Sequence, residues 1–366
     1  MRRVTIWGET SPWLITRHKD ARAVLADPRF SADATLPGFP GMRPQAPPRA
    51  PGQFFMMDPP DHTRLRRMLI PAFTFRRIEE LRPAIGRICE ELIDTMTADG
   101  SGSADLVESY ALPLPSLVIC ELLGVPYEDH DFFQRQSKSI SSLASGPEEM
   151  MAARKALHAY LGELLALRMK EPADDLVSRL ATERVATGEA TEAEAVGLAS
   201  LLLVAGHETT ANMFPLAVVA LLRHPEQLAA LRADPEAWPG AVEELLRYLT
   251  VVHSGMRRIA TEDVEVAGVR IRAGEGVVVA LQAADRDPSV FADPDELDIR
   301  RDTSSHLAFG HGLHQCIGQS LARAELQIGL PALFRRLPAL QLAAPPEDFA
   351  LPASSVHGVR ALPVTW

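Results

Sequence analysis

Phe309-Gly310-His311-Gly312-Leu313-His314-Gln315-Cys316-Ile317-Gly318 places a cysteine among closely spaced glycines, just ahead of a helical pattern from about Ile317 to Leu337. Glycines permit a tight loop and close backbone approach to a flat ligand. A thiol at a helix N-terminus meets the positive end of the dipole and aligned N–H groups, and both favour the thiolate. A thiolate so held suits an axial iron ligand. Two other readings compete: a buried structural cysteine in a glycine loop, and a zinc site from His311, His314 and Cys316, which lacks a fourth ligand.

The chain outside this loop is that of a globular protein. It has 366 residues, 46% apolar and 23% charged, and 37 basic against 48 acidic residues leave a net charge of −11. A chain this long buries roughly three quarters of the surface its unfolded form exposes, which excludes disorder, collagen and coiled coil for the whole. The acidic balance argues against nucleic acid as a partner. Arg64, Arg66, Arg67, Arg76 and Arg77 form a local basic cluster, either a docking surface or an ordinary solvated face. Cys89, Cys120 and Cys316 are too few and too scattered for a disulfide framework and fit a reducing compartment. No signal-like stretch follows Met1, and no run approaches the ~18 apolar residues of a membrane span. The expectation is a soluble, cytoplasmic protein.

Val4–Trp7 and Trp13–Thr16 read as short strands, and Asp20–Ala26 as a short helix. Residues 37–60 carry eight prolines and form a loop. From Asp61 the pattern is helical, clearest in Ile78–Thr97, Met150–Lys170 and Thr191–Arg223. Thr191 and Glu194 form a capping box at the start of the last of these. Pro239–Tyr248 is a further helix. Val264–Val266, Val269–Ile271 and Val277–Leu281 are strands between glycine turns. The whole reads as one mainly helical domain, residues 1–366, with a smaller β part (α+β).

Three more segments carry chemistry. In Ala205-Gly206-His207-Glu208-Thr209-Thr210, Ala205 and Thr209 share a helix face. Ala205 and Gly206 are small and leave room for a diatomic ligand. Thr209 can donate and accept a hydrogen bond, and Glu208 can feed it protons through water. Reductive cleavage of O2 consumes two protons, and an acid–alcohol pair in an apolar helix supplies that relay. His207 is expected to point away from this face. Glu244 and Arg247, at i and i+3, make an ion pair that in isolation is usually superficial and weak. His62 and Arg66, at i and i+4, share a face and join Arg258 and His314 as charge-assisted donors for carboxylates. Arg257 is the rival to Arg258, and His253 is either a substrate contact or a loop histidine.

In this order the motifs resemble those of the cytochrome P450 superfamily, in particular its soluble bacterial, actinomycete-type members. The Phe309–Gly318 segment is similar to the family's haem-binding loop, with Phe309, Gly310 and Gly318 as its cradle. Residues 205–210 are similar to its oxygen-activation motif, and Glu244-Leu245-Leu246-Arg247, completed by Arg301, to its Glu-x-x-Arg network. Asp58-Pro59-Pro60-Asp61-His62-Thr63-Arg64-Leu65-Arg66 resembles the start of the helix that reaches the haem propionates. The resemblance implies a triangular, helix-rich fold holding haem b between the long central helix and the cysteine loop. Cys316 would ligate iron, its thiolate favouring O–O cleavage. His62, Arg66, Arg258 and His314 would hold the propionates.

It also implies a monooxygenase that hydroxylates or epoxidises a lipophilic small molecule, in secondary metabolism or xenobiotic oxidation. No flavin or iron–sulfur motif is present, so electrons come from outside, and the resemblance implies a ferredoxin and its reductase, docked on the arginines around 64–77 and Arg323. A monomer is the default. A peroxide-using or isomerising haem-thiolate protein is a second reading, against which the Glu208-Thr209 pair argues. A non-catalytic helper of the same fold is a third, against which Cys316 itself argues. The pocket wall is expected from the 37–56 loop, Leu202–Ala205, Val251–Ser254 and Ser354–Val356. Family members usually carry a few tens of residues before the first strands; this chain begins almost at them. Pro215 is expected to bend the central helix near residues 211–215, and Leu297 stands where an aromatic is commoner.

Overall fold

The computed structural model describes residues 1–6, 10–42, 50–141, 145–345, 349–350 and 356–366. Trp7, residues 43–49 of the proline-rich loop and Ser354–Ser355 of the expected pocket wall lie outside the described residues. The helices are α1 (His18–Ala26), α2 (Asp61–Leu69), α3 (Phe75–Thr97), α4 (Pro113–Leu123), α5 (His130–Ser141), α6 (Pro147–Lys170), α7 (Leu176–Arg179), α8 (Glu192–Arg223), α9 (Pro225–Ala233), α10 (Trp238–Leu249), α11 (Leu281–Ala284) and α12 (Gln319–Arg336). The strands are β1 (Arg2–Arg3), β2 (Trp13–Ile15), β3 (Phe30–Ser31), β4 (Ser103–Asp105), β5 (Met256–Ala260), β6 (Val264–Val266), β7 (Val269–Ile271), β8 (Gly276–Val279), β9 (Gln341–Leu342) and β10 (Pro363–Thr365).

Helix α8 organises the molecule. Its start is the expected capping box: the Glu194 N–H donates to Thr191 Oγ1 at 3.1 Å, and the Thr191 N–H donates to Glu194 Oε2 at 2.9 Å. Beyond this turn α8 is apolar on most sides, as a helix enclosed by others must be. Leu198, Leu203, Phe214, Val218 and Leu221 are all fully buried, in one core with residues of α3, α4, α6, α10 and α12. Pro215 lies inside α8, and the helix runs through it in one piece to Arg223. The expected bend therefore does not interrupt it; proline removes only its own N–H from the ladder.

Two close approaches fix neighbours onto α8. A Cβ at Gly197 would lie 2.0 Å from the Pro51 carbonyl oxygen, so the end of the proline-rich loop rests directly on the helix backbone. A Cβ at Gly329 would meet the Phe214 ring at 2.7 Å, which brings α12 against α8. Tyr110 Oη donates to the Gly329 carbonyl at 2.8 Å in the same seam.

The β part is a second, smaller core. Its main sheet has the order β1-β2-β8-β5-β3. Chain-distant β2 and β8 pair in parallel, Leu14 opposite Val278, while β5 pairs antiparallel to β8 and β3. The expected strand at Val4–Trp7 is not formed by Val4–Ile6; the first strand is Arg2–Arg3. The expected strand at Val277–Leu281 ends at Val279, and Leu281 opens α11. The last helix begins at Gln319 rather than Ile317, because residues 312–314 form a 3-10 turn and Cys316–Gly318 a connection. Among the described residues, no helix is long and apolar enough to cross a membrane.

Candidate active site

Cys316 leaves the 3-10 turn on a well-tied loop. Gly310 and Gly312 have φ of +71° and +72°, which only glycine adopts without cost. A Cβ at Gly312 would also lie 2.5 Å from the Leu25 carbonyl at the end of α1. The Cys316 N–H donates to the Phe309 carbonyl at 2.9 Å, and the Gln315 N–H to the Gly312 carbonyl at 3.0 Å. Cys316 carries accessible surface, while Cys89 and Cys120 are buried. Burial pushes the Cys316 thiol up, more than the Gly318 N–H, Arg66 and Arg323 together pull it down. The helix start thus favours the thiolate, as expected, but does not by itself overcome desolvation.

The wall formed by α8 shows its own accessible stripe. Ala205 is exposed in the middle of this long helix, and Leu201, Val204, Glu208, Thr209 and Asn212 are partly so, at helical spacing. Thr209 Oγ1 donates to the Ala205 carbonyl at 2.9 Å, which leaves the hydroxyl oxygen free to accept. Asn212 Nδ2 donates to the Glu208 carbonyl at 2.8 Å. His207 is buried on the other side and bonds the Leu112 backbone, as expected. Gly206 departs from the reading of room for a diatomic ligand: its Cβ direction meets Ile119 of α4 at 3.4 Å, so its smallness serves helix packing.

The four carboxylate donors gather around one point. The His62 and His314 rings lie 4.3 Å apart, and both imidazoles sense Arg258 and Arg66. Desolvation, helped by those arginines, lowers His62 to about 4 and His314 to about 3, so both are neutral. Burial brings Arg258 down to about 10. Both nitrogens of His62, Nδ1 of His314 and Nη2 of Arg258 are buried without a hydrogen-bond partner. A buried polar nitrogen without a partner costs about 1–3 kcal/mol. Donors in one place answer to a carboxylate-bearing guest, and the carboxylates of haem match them. Arg66 is already engaged in part, Nη2 donating to the Gln315 carbonyl at 2.7 Å, so it also braces the residue before Cys316. Both histidines sense Arg258, and neither senses Arg257.

Behind the loop, Glu244 and Arg247 are both 0% exposed. Arg247 Nε and Nη2 donate to Glu244 at 2.7 and 2.8 Å, and Arg301 Nε reaches Glu244 Oε1 at 3.2 Å. Arg247 Nη1 also donates to the Asp285 and Pro294 carbonyls at 2.8 and 2.9 Å. The pair is structural and fully satisfied. His253 stacks on His357 with rings 4.2 Å apart, and the His357 N–H donates to the Val251 carbonyl at 2.7 Å, tying the expected wall segment Val251–Ser254 to the residue that follows Val356. The zinc reading finds no support: among the described residues, no three metal-ligating side chains converge.

Sequence reasoning missed Glu243, Glu325 and the partners of the basic cluster. Arg64 is ion-paired with Glu194, Arg77 with Glu80 and Asp174 at 3.1 and 3.2 Å, and Arg323 with Glu243 at 2.7 Å. Only tertiary proximity shows this, since most of these partners are distant in sequence.

A helical body enclosing a cysteine loop, an acid–alcohol helix and orphaned carboxylate donors defines a haem-thiolate protein, and comparison with known proteins agrees. The cytochrome P450 family model matches residues 239–349. "Cytochrome P450-SU2" of Streptomyces griseolus is 52% identical over all of this chain and 90% of the relative. Pentalenic acid synthase of Streptomyces avermitilis is 50% identical with the same coverage. The crystal structure of GfsF superposes with a TM-score of 0.93 at 47% identity, over all of this chain and 92% of that one. The chain belongs to the cytochrome P450 family: it is an oxidoreductase that binds haem b through a cysteine thiolate and acts as a monooxygenase.

Proposed function

We propose that Cys316 is the axial thiolate, that His62, Arg258 and His314, with Arg66, hold the haem propionates, and that Glu208 and Thr209 deliver protons to bound oxygen. The four orphaned nitrogens of His62, His314 and Arg258 carry this reading. Bound haem supplies reductive activation of O2 and insertion of one oxygen atom into the substrate. The chain does the rest. The glycine loop presents the Cys316 sulfur to the cleft. Ala205 keeps the facing helix low. Thr209, its hydroxyl donating to the Ala205 carbonyl, keeps its oxygen to accept a hydrogen bond at the cleft, and so orders there the proton donor that Glu208 resupplies. His62 and His314 donate to the carboxylates, and the positive charges of Arg258 and Arg66 beside them balance the guest's negative charge.

The substrate is a lipophilic small molecule of secondary or xenobiotic metabolism, as the name of the pentalenic acid synthase relative suggests. The whole chain, 1–366, works as one domain, a monomer in the cytoplasm. A ferredoxin and its reductase supply electrons. With Arg64, Arg77 and Arg323 engaged internally, the docking face is narrower than the full basic cluster. Arg67 and Arg76 remain exposed beside Phe75, which is 79% exposed, and Ile70. Acidic partners are steered by such arginines and anchored by an apolar side chain. The function is tested by turnover of lipophilic compounds that shift the haem spin state, with a bacterial ferredoxin pair and then with peroxide alone. Product formed only with the ferredoxin pair supports the reading. Turnover by peroxide alone would favour a peroxygenase.

A further inference from the structure

Glu243 and Glu244 are neighbours on α10 and serve different networks. Glu244 joins Arg247 and Arg301, while Glu243 reaches α12 and the cysteine loop. Arg323 Nε and Nη2 donate to its two oxygens at 2.7 and 2.9 Å, and His306 Nε2 donates at 3.0 Å. His306 Nδ1 accepts the Ala308 N–H at 3.1 Å, which leaves Nε2 to donate to Glu243. Burial alone would raise the Glu243 carboxyl, but His306 and Arg323 together hold it at about 2. It is an anion throughout.

Arg323 touches both ends of the loop. Its guanidinium carbon lies 4.5 Å from the centroid of the Phe309 ring, and the Phe309 carbonyl takes the Cys316 N–H. Its Nη1 donates to Gln319 Oε1 at 3.0 Å at the other end.

We propose that Arg323, held by Glu243, is a positioning residue for Cys316: it clamps the Phe309–Gln319 loop and sets, through the balance of its charge against Glu243, how readily the haem-thiolate centre takes up an electron. This rests on Cys316 being the axial ligand. It removes Arg323 from the docking face expected from sequence. Reduction adds one negative charge near the sulfur, so a nearby cation stabilises the reduced form and a nearby anion opposes it.

The test is a potentiometric titration of the purified haem-loaded protein without any redox partner. Arg323→Gln lowers the reduced-to-oxidised ratio at a fixed potential by about tenfold. Glu243→Gln, which leaves Arg323 uncompensated, raises it. Arg323→Lys, which keeps the charge, stays close to the parent. The opposite signs separate this role from mere loss of packing, which would move both variants alike. The carbon monoxide complex of each variant keeps its thiolate-type band. Equal ratios, or shifts of the same sign, with that band intact would overturn the proposal. Should Arg323→Gln fail to load haem, Glu243→Gln decides alone: a rise supports the proposal and no rise overturns it. A parent protein without the thiolate band would instead overturn the assignment of Cys316.

Discussion

His62 and His314 lie with their rings 4.3 Å apart and tilted by 53°, one on α2 and the other two residues before Cys316, and desolvation lowers both imidazoles. Two imidazoles packed beside Arg258 and Arg66, with nitrogens left unpartnered, make sense as donors awaiting a dianionic guest. We take that guest to be haem, held by its propionates.

Replacing these donors should loosen haem while leaving its ligation unchanged. His62→Ala or Arg258→Leu should speed haem loss to an excess of a haem-scavenging protein by about tenfold to a hundredfold, the worth of a charge-assisted hydrogen bond of roughly 1.5–3 kcal/mol. The carbon monoxide band position should not move. Unchanged haem loss in both variants would mean that the orphaned nitrogens do not meet the propionates.

The acid–alcohol pair makes a prediction about coupling. Thr209→Ala should continue to consume reductant and oxygen but divert most of it to peroxide, because protons no longer reach the oxygen in order. Glu208→Gln should slow turnover by about a hundredfold, the low end of what general acid catalysis contributes. Product yield per reductant consumed, measured beside peroxide release, checks both. Full coupling in Thr209→Ala would contradict the relay.

Glu325 links stability to pH. It lies on α12, is buried, and burial raises its carboxyl to about 8, with Oε2 unpartnered. Cys89 of α3 is the neighbouring titratable group, itself pushed up to about 12 and hydrogen-bonded with Tyr110. Folded Glu325 keeps a proton that the unfolded chain releases near pH 4.3. Its contribution to stability is therefore complete below that pH and is lost as pH rises toward about 8. Glu325→Gln does not titrate, so relative to the parent it should gain on the order of 3 kcal/mol between pH 5 and pH 8.5. Denaturant midpoints at the two pH values check this. Parallel pH profiles would refute it.

Docking should depend on few residues. Arg67→Glu with Arg76→Glu should cut ferredoxin-driven turnover by about tenfold at low salt, while reduction by dithionite is unaffected. Phe75→Ala should act similarly but with little salt dependence, since it removes apolar contact rather than charge. Charge reversal without effect on ferredoxin-driven turnover would move the docking face elsewhere.

Much of this was legible in sequence where the signal is local. The capping box at Thr191 and Glu194, the glycines around Cys316 and the helix spans depend on neighbours within a few residues. Strands β6 and β7 were legible because they form one hairpin with a two-residue glycine turn. Strand β1 was misplaced because it is two residues long and is defined by pairing with β2. The parallel pairing of Leu14 with Val278 has no local signature at all. The same distinction explains the site. Spacing puts His62 beside Arg66, but only packing shows that Gly206 faces Ile119, that Arg77 is engaged by Asp174, and that Glu243 rather than a partner protein takes up Arg323.

The central claim is that Cys316 holds haem as a thiolate, and the absorption spectrum of the reduced carbon monoxide complex tests it most directly. The purified protein should show a strongly red-shifted Soret band, and Cys316→Ala should abolish the shift. A Soret band at the unshifted position in the parent protein, or a shifted band that survives in Cys316→Ala, would contradict it.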